Sequence, residues 1–172
     1  ENPKVFIPEQ FSNPNNPMVH KYYTALEILE QVAGPIDGFC SGIGTGGTLS
    51  GIGETLKALN PHIEIWAVEP ENAAILSGGA IGTHLQMGIG DGLIPDNLNQ
   101  DIYDDLYLVT DEEAIQTAKD LARLEGLMCG ISSGTNVAAA IQLARKLGEG
   151  KTVVTVLPDT AERYFSTPLF EE

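Results

Sequence analysis

The sequence predicts an α/β fold with a mostly parallel sheet and helices on both faces. Short apolar runs alternate along the chain with stretches of helical periodicity, and this alternation is typical of such folds. The last apolar run, KTVVTVL, is nearly continuous, which favours a position at the centre of the sheet. The four predicted strands cover residues 36–41, 63–68, 106–109 and 151–157.

Capping residues and helix breakers set the bounds of the predicted helices. The pair Asn16-Pro17 indicates a helix start, because asparagine caps well and proline suits the first turn. Thr110 followed three residues later by Glu113 forms a capping-box pattern, and Ser132-Ser133 favours a cap before Gly134. The expected helices cover about residues 16–32, 49–59, 110–125 and 132–147.

Composition and charge exclude several classes of function. The 172 residues carry 24 acidic and nine basic side chains, a net charge of −15, which argues against nucleic acid or an anionic membrane surface as partner. No apolar run approaches the length of a membrane span. Cys40 and Cys129 lie in apolar surroundings and predict reduced, buried thiols of a cytoplasmic protein. Without a Cys/His cluster, no metal site is expected.

Three segments are expected at the carboxyl ends of the strands, where parallel sheets bind ligands. They are residues 42–48, the stretch after Glu69, and residues 158–162. The stretch 71–104 is rich in Gly, Asn and Pro without a clear period, and long loops of this kind are often functional. His20, His62 and His84 show no ligand or triad spacing and are predicted to be surface or loop side chains.

The segment SGIGTGGTLSG, residues 41–51, supports two ligands. Gly42, Gly44 and Gly47 fit the dinucleotide fingerprint G-x-G-x-x-G, and Glu69 ends the next strand where a ribose-binding acid belongs. The alternative is a cradle for one phosphate, built from backbone amides and two hydroxyls at a helix N-terminus. A turn without a ligand is the third possibility. The spacing alone leaves all three open.

Five separated segments, taken together and in order, resemble the cysteine synthase family, also called O-acetylserine sulfhydrylases. These are pyridoxal phosphate enzymes of the β-family, with the fold called type II. The segments that carry the resemblance are QFSNPNNPMVH (10–20), SGIGTGGTLSGIGETLK (41–57), MGIGDGLIP (87–95), EGLMCGISSGTNVAAA (125–140) and VLPDTAERYFSTPLF (156–170).

The resemblance implies roles for particular residues. Thr160 is expected to place its hydroxyl against the pyridine nitrogen of pyridoxal phosphate, with Asp159 as the alternative. Gln10 and Gly88 are expected in the substrate site. The cofactor phosphate is expected in a cradle made of Gly44, Thr45, Gly46, Gly47 and Thr48.

The implied activity is a β-replacement that forms L-cysteine from O-acetylserine and sulfide. Asp159 stands where plain cysteine synthases often have Ser, and this Pro-Asp form also occurs in cystathionine β-synthase-like members, which is the alternative within the class. An NAD-binding Rossmann domain and a non-enzymatic partner-binding domain are the alternatives from other classes. The family resemblance also implies a homodimer that can dock the C-terminal tail of serine acetyltransferase.

One family feature is absent from the sequence. The Schiff-base lysine of the family lies in a Ser-x-Lys-(Asp/Asn)-Arg motif, and none of the six lysines here has that context. The resemblance therefore implies that the fold is incomplete as given and corresponds to the C-terminal portion of such an enzyme. Residues 1–16 would end the small N-terminal domain, and residues 17–172 would form most of the large one. Such a chain is expected to be inactive alone.

Overall fold

Four parallel strands form the sheet in the computed structural model of this chain, which describes residues 4–170. The strands are β1 (Gly38–Gly42), β2 (Glu64–Pro70), β3 (Asp105–Val109) and β4 (Val153–Val154). Their order across the sheet is β3-β2-β1-β4, and every pairing is parallel. This confirms the predicted α/β class.

Five α-helices and two π-helical turns surround the sheet within the described residues. A first rod joins α1 (Asn15–Val19), a π-turn (His20–Thr24) and α2 (Ala25–Gln31). The remaining elements are α3 (Gly47–Leu59), α4 (Asp111–Asp120) with a second π-turn directly after it (Leu121–Glu125), α5 (Ile131–Leu147) and three 3₁₀ turns at Glu71–Ala73, Ala161–Tyr164 and Pro168–Phe170.

The apolar core lies on both faces of the sheet. Successive side chains of a strand point to opposite faces, and the two clusters divide β1 accordingly: Phe39 packs with α2 and α3, whereas Cys40 packs with α4 and α5. In β2, Ile65 and Trp66 divide in the same way. Both faces are therefore covered by helices, as the sequence predicted.

The predicted central position of the last strand is wrong for the described part of the chain. β4 pairs through only two residues, Val153 and Val154, and lies at one end of the sheet. Beyond them the Thr155 hydroxyl donates to the Cys40 carbonyl at 2.7 Å, and the Asn136 side chain donates to the Val156 carbonyl at 2.8 Å. Side-chain hydrogen bonds thus replace the backbone ladder between β1 and β4 beyond Val154, and an apolar run in the sequence does not predict such a replacement.

The helix starts test the predicted caps. The Thr110 hydroxyl accepts from the Glu113 amide at 3.1 Å, so that cap is confirmed. The first helix instead begins at Asn15, one residue before the predicted cap. The Ser132-Ser133 cap is also wrong, because the N-cap residue of α5 is Gly130 and no side chain caps this helix end. Among the described residues, no helix combines the length and apolar character that crossing a membrane requires.

Candidate functional site

A cavity of about 450 Å³ opens at the carboxyl ends of β1 and β4. Its walls come from most of the stretch 41–48, from Gly88 and Ile89, and from residues 156–158. His20, Thr24 and Asn136 complete the lining. All three segments that the sequence placed at this edge of the sheet contribute to one site.

The glycine-rich loop leads into α3, and no side chain accepts a hydrogen bond from the backbone amides of the first turn of this helix. Gly46 is the N-cap residue and has φ of +79°, a left-handed conformation that glycine adopts without strain. No side chain caps this end of α3, which is 13 residues long. The free amides and the helix dipole make such an end favourable for an anion.

Close backbone contacts explain the other glycines of the loop. A Cβ on Gly44 would overlap the carbonyl oxygen of Gly88, and a Cβ on Gly46 would lie 2.8 Å from the Cβ of Leu98. The Gly90 amide donates to the Ile43 carbonyl at 2.9 Å, which fixes the Gly88 segment beside the loop. Glycine is therefore required at positions 44 and 46 because neighbouring residues pack closely against them, and at position 46 also because of its left-handed φ.

Asn16 holds the loop from the side of the first helix. Its amide group donates to the carbonyl of Gln10 and to the hydroxyl oxygen of Thr45, both at 2.8 Å. The same side chain packs so closely on Gly47 that a Cβ there would overlap it. Because the Thr45 oxygen already accepts a hydrogen bond, its own hydroxyl hydrogen remains available to an acceptor in the cavity.

His20 and Thr24 reach the cavity from the first π-turn, so the prediction of a surface or loop histidine is wrong for His20. Its Nδ1 lies 3.1 Å from the Thr24 hydroxyl and its Nε2 lies 3.4 Å from the Thr48 hydroxyl. Burial lowers the pKa of His20 below its ordinary value. A neutral imidazole between two hydroxyls can donate to one and accept from the other.

Asn136 forms the floor of the cavity and was also missed by the sequence reasoning. Its carbonyl oxygen accepts from the Gly42 amide at 2.7 Å, and its amide group reaches the Val156 carbonyl. The side chain is almost fully buried and joins the ends of β1 and β4. The signal that could have found it is the run of polar residues Ser132, Ser133, Thr135 and Asn136 at the start of α5, all of which are buried.

Glu69, at the end of β2, is buried against the start of the long loop. Its buried carboxylate accepts from the Leu76 amide at 2.8 Å, the Ser77 amide at 3.1 Å and the Ser77 hydroxyl at 2.9 Å. These bonds order the start of the long loop and leave the carboxylate fully engaged. The dinucleotide interpretation thereby loses the acid on which it depended.

Of the remaining predicted site residues, Gly88 lies in the cavity lining and the other three lie outside it. The Tyr164 hydroxyl donates to Asp159 at 2.6 Å, and the second oxygen of Asp159 is buried against Gly130. Thr160 is exposed and follows the lining residue Pro158 by two positions. Gln10 has an exposed side chain, and its carbonyl accepts hydrogen bonds from two asparagine side chains, Asn16 and Asn97.

No lysine lines this cavity within residues 4–170. Four lysines instead form ion pairs with carboxylates on the outside of the fold, and these pairs are Lys21–Glu54, Lys57–Asp104, Lys146–Glu64 and Lys151–Asp37. The described part of the site can therefore hold an anion but offers no amine that could bond covalently to an aldehyde.

A parallel sheet with a glycine-rich loop and an uncapped helix N-terminus at the carboxyl ends of its strands is typical of cofactor-binding enzymes. The chain belongs to the pyridoxal-phosphate dependent enzyme family, whose model matches residues 1–159. The cradle fits this cofactor's phosphate, since its glycines admit no side chain and its amides and hydroxyls are donors.

Comparison with individual proteins gives a narrower likeness than the family model does. The chain is 52% identical over 166 residues to the cysteine synthase of Staphylococcus aureus, covering 96% of this chain and 54% of that protein. It is 41% identical to the cysteine synthase structure from Entamoeba histolytica, with a TM-score of 0.94 over 99% of this chain and 50% of the other. An O-acetylserine dependent cystathionine β-synthase from Helicobacter pylori is 38% identical, with a TM-score of 0.92 over 98% and 55%. The chain spans about half the length of the relatives it matches.

Proposed function

We propose that this chain provides the phosphate-binding part of a pyridoxal phosphate-dependent cysteine synthase that forms L-cysteine from O-acetylserine and sulfide. The observation that carries the proposal is the cradle 44–48, closed by the Gly88 carbonyl on one side and by Asn16 on the other. The similarity to cysteine synthases over nearly the whole chain supports this choice of reaction.

The residues of this chain would act mainly by binding and orientation. The amides at the start of α3 and the hydroxyls of Thr45 and Thr48 would donate to the phosphate, which anchors the cofactor at one end. When bound, pyridoxal phosphate supplies an electron sink for the pair left when the substrate loses its α-proton. Gln10 and Gly88 would contact the substrate near that centre.

Thr160 remains the proposed partner of the pyridine nitrogen. Asp159 is less suited, because one oxygen accepts from Tyr164 and the other is buried against Gly130. A neutral hydroxyl at this position would leave the ring nitrogen unprotonated, which suits a β-elimination.

The whole enzyme requires a lysine that the cavity lining of the described residues does not contain. We therefore propose that residues 1–16 end a small domain, that residues 17–172 form most of a large one, and that this chain alone is inactive. A homodimer, a cytoplasmic location and docking of the serine acetyltransferase C-terminal tail are proposed on the same family basis.

A cystathionine β-synthase-like activity is the second candidate. The Pro158-Asp159 pair supports it, and so does the similarity to the O-acetylserine dependent cystathionine β-synthase of H. pylori. Both candidates share the same cradle and differ in the nucleophile, sulfide or homocysteine. Assays of a full-length form with each nucleophile would distinguish them.

The proposed role is tested by titrating pyridoxal phosphate into the purified chain and following the amide signals of residues 44–48 by NMR. We expect pyridoxal phosphate to bind saturably and to compete with inorganic phosphate. Borohydride reduction should leave no covalent adduct on the residues that line the cavity. Thr48→Val should weaken the binding, whereas the exposed Thr83→Val is the matched control. Binding of NAD at the same amides, or none by pyridoxal phosphate, would contradict the proposal.

A further inference from the structure

The first π-turn brings two polar side chains to the phosphate loop from a neighbouring helix. The Ala25 amide bonds to the carbonyl of His20, five residues back, so this turn is wider than an α-helical one. His20 and Thr24 both line the cavity. Turns of this kind are frequent at functional sites, and here the widened turn is the segment that faces the cavity.

A glycine in α3 allows the approach of this turn. A Cβ on Gly51 would overlap the carbonyl oxygen of Pro17 and lie 2.8 Å from the Cβ of His20. Gly51 is three residues after Thr48, one turn along the same helix face. The contact between the two helices therefore sets the distance between the imidazole and the Thr48 hydroxyl.

The three polar side chains form one hydrogen-bonded row, Thr24–His20–Thr48, with distances of 3.1 and 3.4 Å. A neutral imidazole has one N–H and one acceptor nitrogen, so the row has two possible directions. In the first, Thr24 donates to Nδ1 and Nε2–H donates to Thr48, whose hydroxyl hydrogen is then free. In the second, Nδ1–H donates to Thr24, and Nε2 accepts the Thr48 hydrogen.

A phosphate in the cradle discriminates between the two directions. Phosphate oxygens are acceptors and bind donors, and only the first direction leaves the Thr48 hydrogen to donate to them. A ligand that binds one state better shifts the population toward it. We propose that His20 is a positioning residue which, with Thr24, directs the Thr48 hydroxyl hydrogen at the cofactor phosphate. This inference rests on the proposed function and deepens it.

The burial of His20 supports the neutral state that the row requires, since it lowers the pKa of the imidazole. The hydrogen bond at Thr45 is a second example of a neighbouring side chain that donates to a hydroxyl oxygen of the cradle. There the Asn16 amide donates to the hydroxyl oxygen and leaves the hydrogen for the cavity. Both hydroxyls of the cradle thus have a neighbour that can occupy the oxygen and free the hydrogen.

The tautomer of His20 is the direct test. The chain is labelled with ¹⁵N-histidine, and the two ring nitrogens of His20 are followed by NMR while inorganic phosphate is added at neutral pH. We expect phosphate to shift His20 to the Nε2–H tautomer, with the rings of His62 and His84 unchanged. Pyridoxal phosphate should give the same shift.

A double-mutant cycle separates this role from a structural one. Thr24→Val removes the donor to Nδ1 and should weaken phosphate binding about 3- to 10-fold, the usual worth of one hydrogen bond. His20→Gln, which retains an N–H, should bind phosphate better than His20→Phe. In a Thr48→Val background, Thr24→Val should cost nothing further.

The outcomes separate the role of His20 from that of the cradle. If phosphate moves the amides 44–48 but leaves the His20 tautomer unchanged, the inference is overturned and the proposed function stands. The inference is likewise overturned if Thr24→Val costs as much with Thr48→Val as without it. If phosphate moves neither the amides nor the ring nitrogens, the cradle itself is wrong and both proposals fall.

Discussion

The carbonyl oxygen of Gly88 faces Gly44 so closely that no side chain fits between them. This contact holds the long loop (71–104) against the glycine-rich loop (42–48), and both loops line the cavity. The obstacle to any larger residue at position 44 is backbone, which cannot move aside as the end of a side chain can.

Gly44→Ala should therefore separate the two loops and weaken phosphate binding by more than about 10-fold, an interaction change of at least 1.4 kcal/mol. Isothermal titration with inorganic phosphate measures this. Gly53→Ala is the matched control, because its Cβ would meet only side-chain atoms of Ile65 and Ile102, which do not line the cavity. Equal affinity in both variants would contradict the role of the contact.

Glu69→Gln tests whether the buried acid is structural. Gln keeps one acceptor oxygen but replaces the other by an amide that faces the donors of Ser77. We expect a loss of about 1–3 kcal/mol in the free energy of unfolding, measured by urea denaturation, with phosphate affinity unchanged. The exposed Glu112→Gln should be neutral. A ribose-binding acid would instead show NAD binding that the variant abolishes.

Gln86 is fully buried and ties the long loop to the core. Its amide donates to the Val109 carbonyl and to Asp111, and its oxygen accepts from Thr135. Gln86→Leu leaves all three without this partner, so we expect the free energy of unfolding to fall by about 2–3 kcal/mol. Thermal denaturation checks this against the exposed Gln116→Leu. A neutral Gln86→Leu would show that the network contributes little.

Acidification should destabilise the fold through His20. Burial lowers its pKa in the folded state below the ordinary 6.5, so below pH 6.5 the unfolded chain takes up a proton that the folded chain does not. The free energy of unfolding therefore decreases as the pH is lowered through this window. Urea midpoints between pH 7 and 5 measure the effect, and His20→Asn should flatten it while the exposed His62→Asn should not.

The two thiols should differ in reactivity although both are buried. Burial raises the pKa of Cys40 to about 12, and it also raises that of Cys129. Cys129, however, lines a second cavity of about 430 Å³, whereas Cys40 belongs to strand β1 and has no exposed surface. In the native state, iodoacetamide labelling followed by peptide mass spectrometry should find Cys129 modified first. Labelling of Cys40 should require unfolding; the reverse order would contradict this.

Periodicity was sufficient to predict the order of strands and helices, because local patterns report which faces are buried. It failed at β4, where the side chains of Thr155 and Asn136 bond to the carbonyls of Cys40 and Val156 and so replace part of the backbone ladder between β1 and β4. The number of partners of a strand depends on distant residues, and an apolar run carries no information about them.

Glycine spacing indicated a ligand loop at residues 42–48 but left the kind of ligand open, and only the family resemblance favoured a single phosphate. The position of His20 at the cavity was not predictable, because an α-helical spacing hides a π-turn. The pattern at Asn16 indicates a cap although its side chain reaches Thr45. Both errors concern where a side chain points, which depends on a single extra residue or on a contact between distant segments.

The first π-turn also makes the length of its helix a constraint on function. An α-helix rotates by roughly 100° per residue, and the widened turn at His20–Thr24 compensates for one residue more than an ordinary helix would hold there. Deleting one residue from this turn would leave an ordinary α-helical turn and keep the register of the segments on either side, so Asn16 would stay at the glycine-rich loop while the side chains of the turn itself would shift. A variant one residue shorter could thus keep the contact between Asn16 and Thr45 and still lose the row Thr24–His20–Thr48.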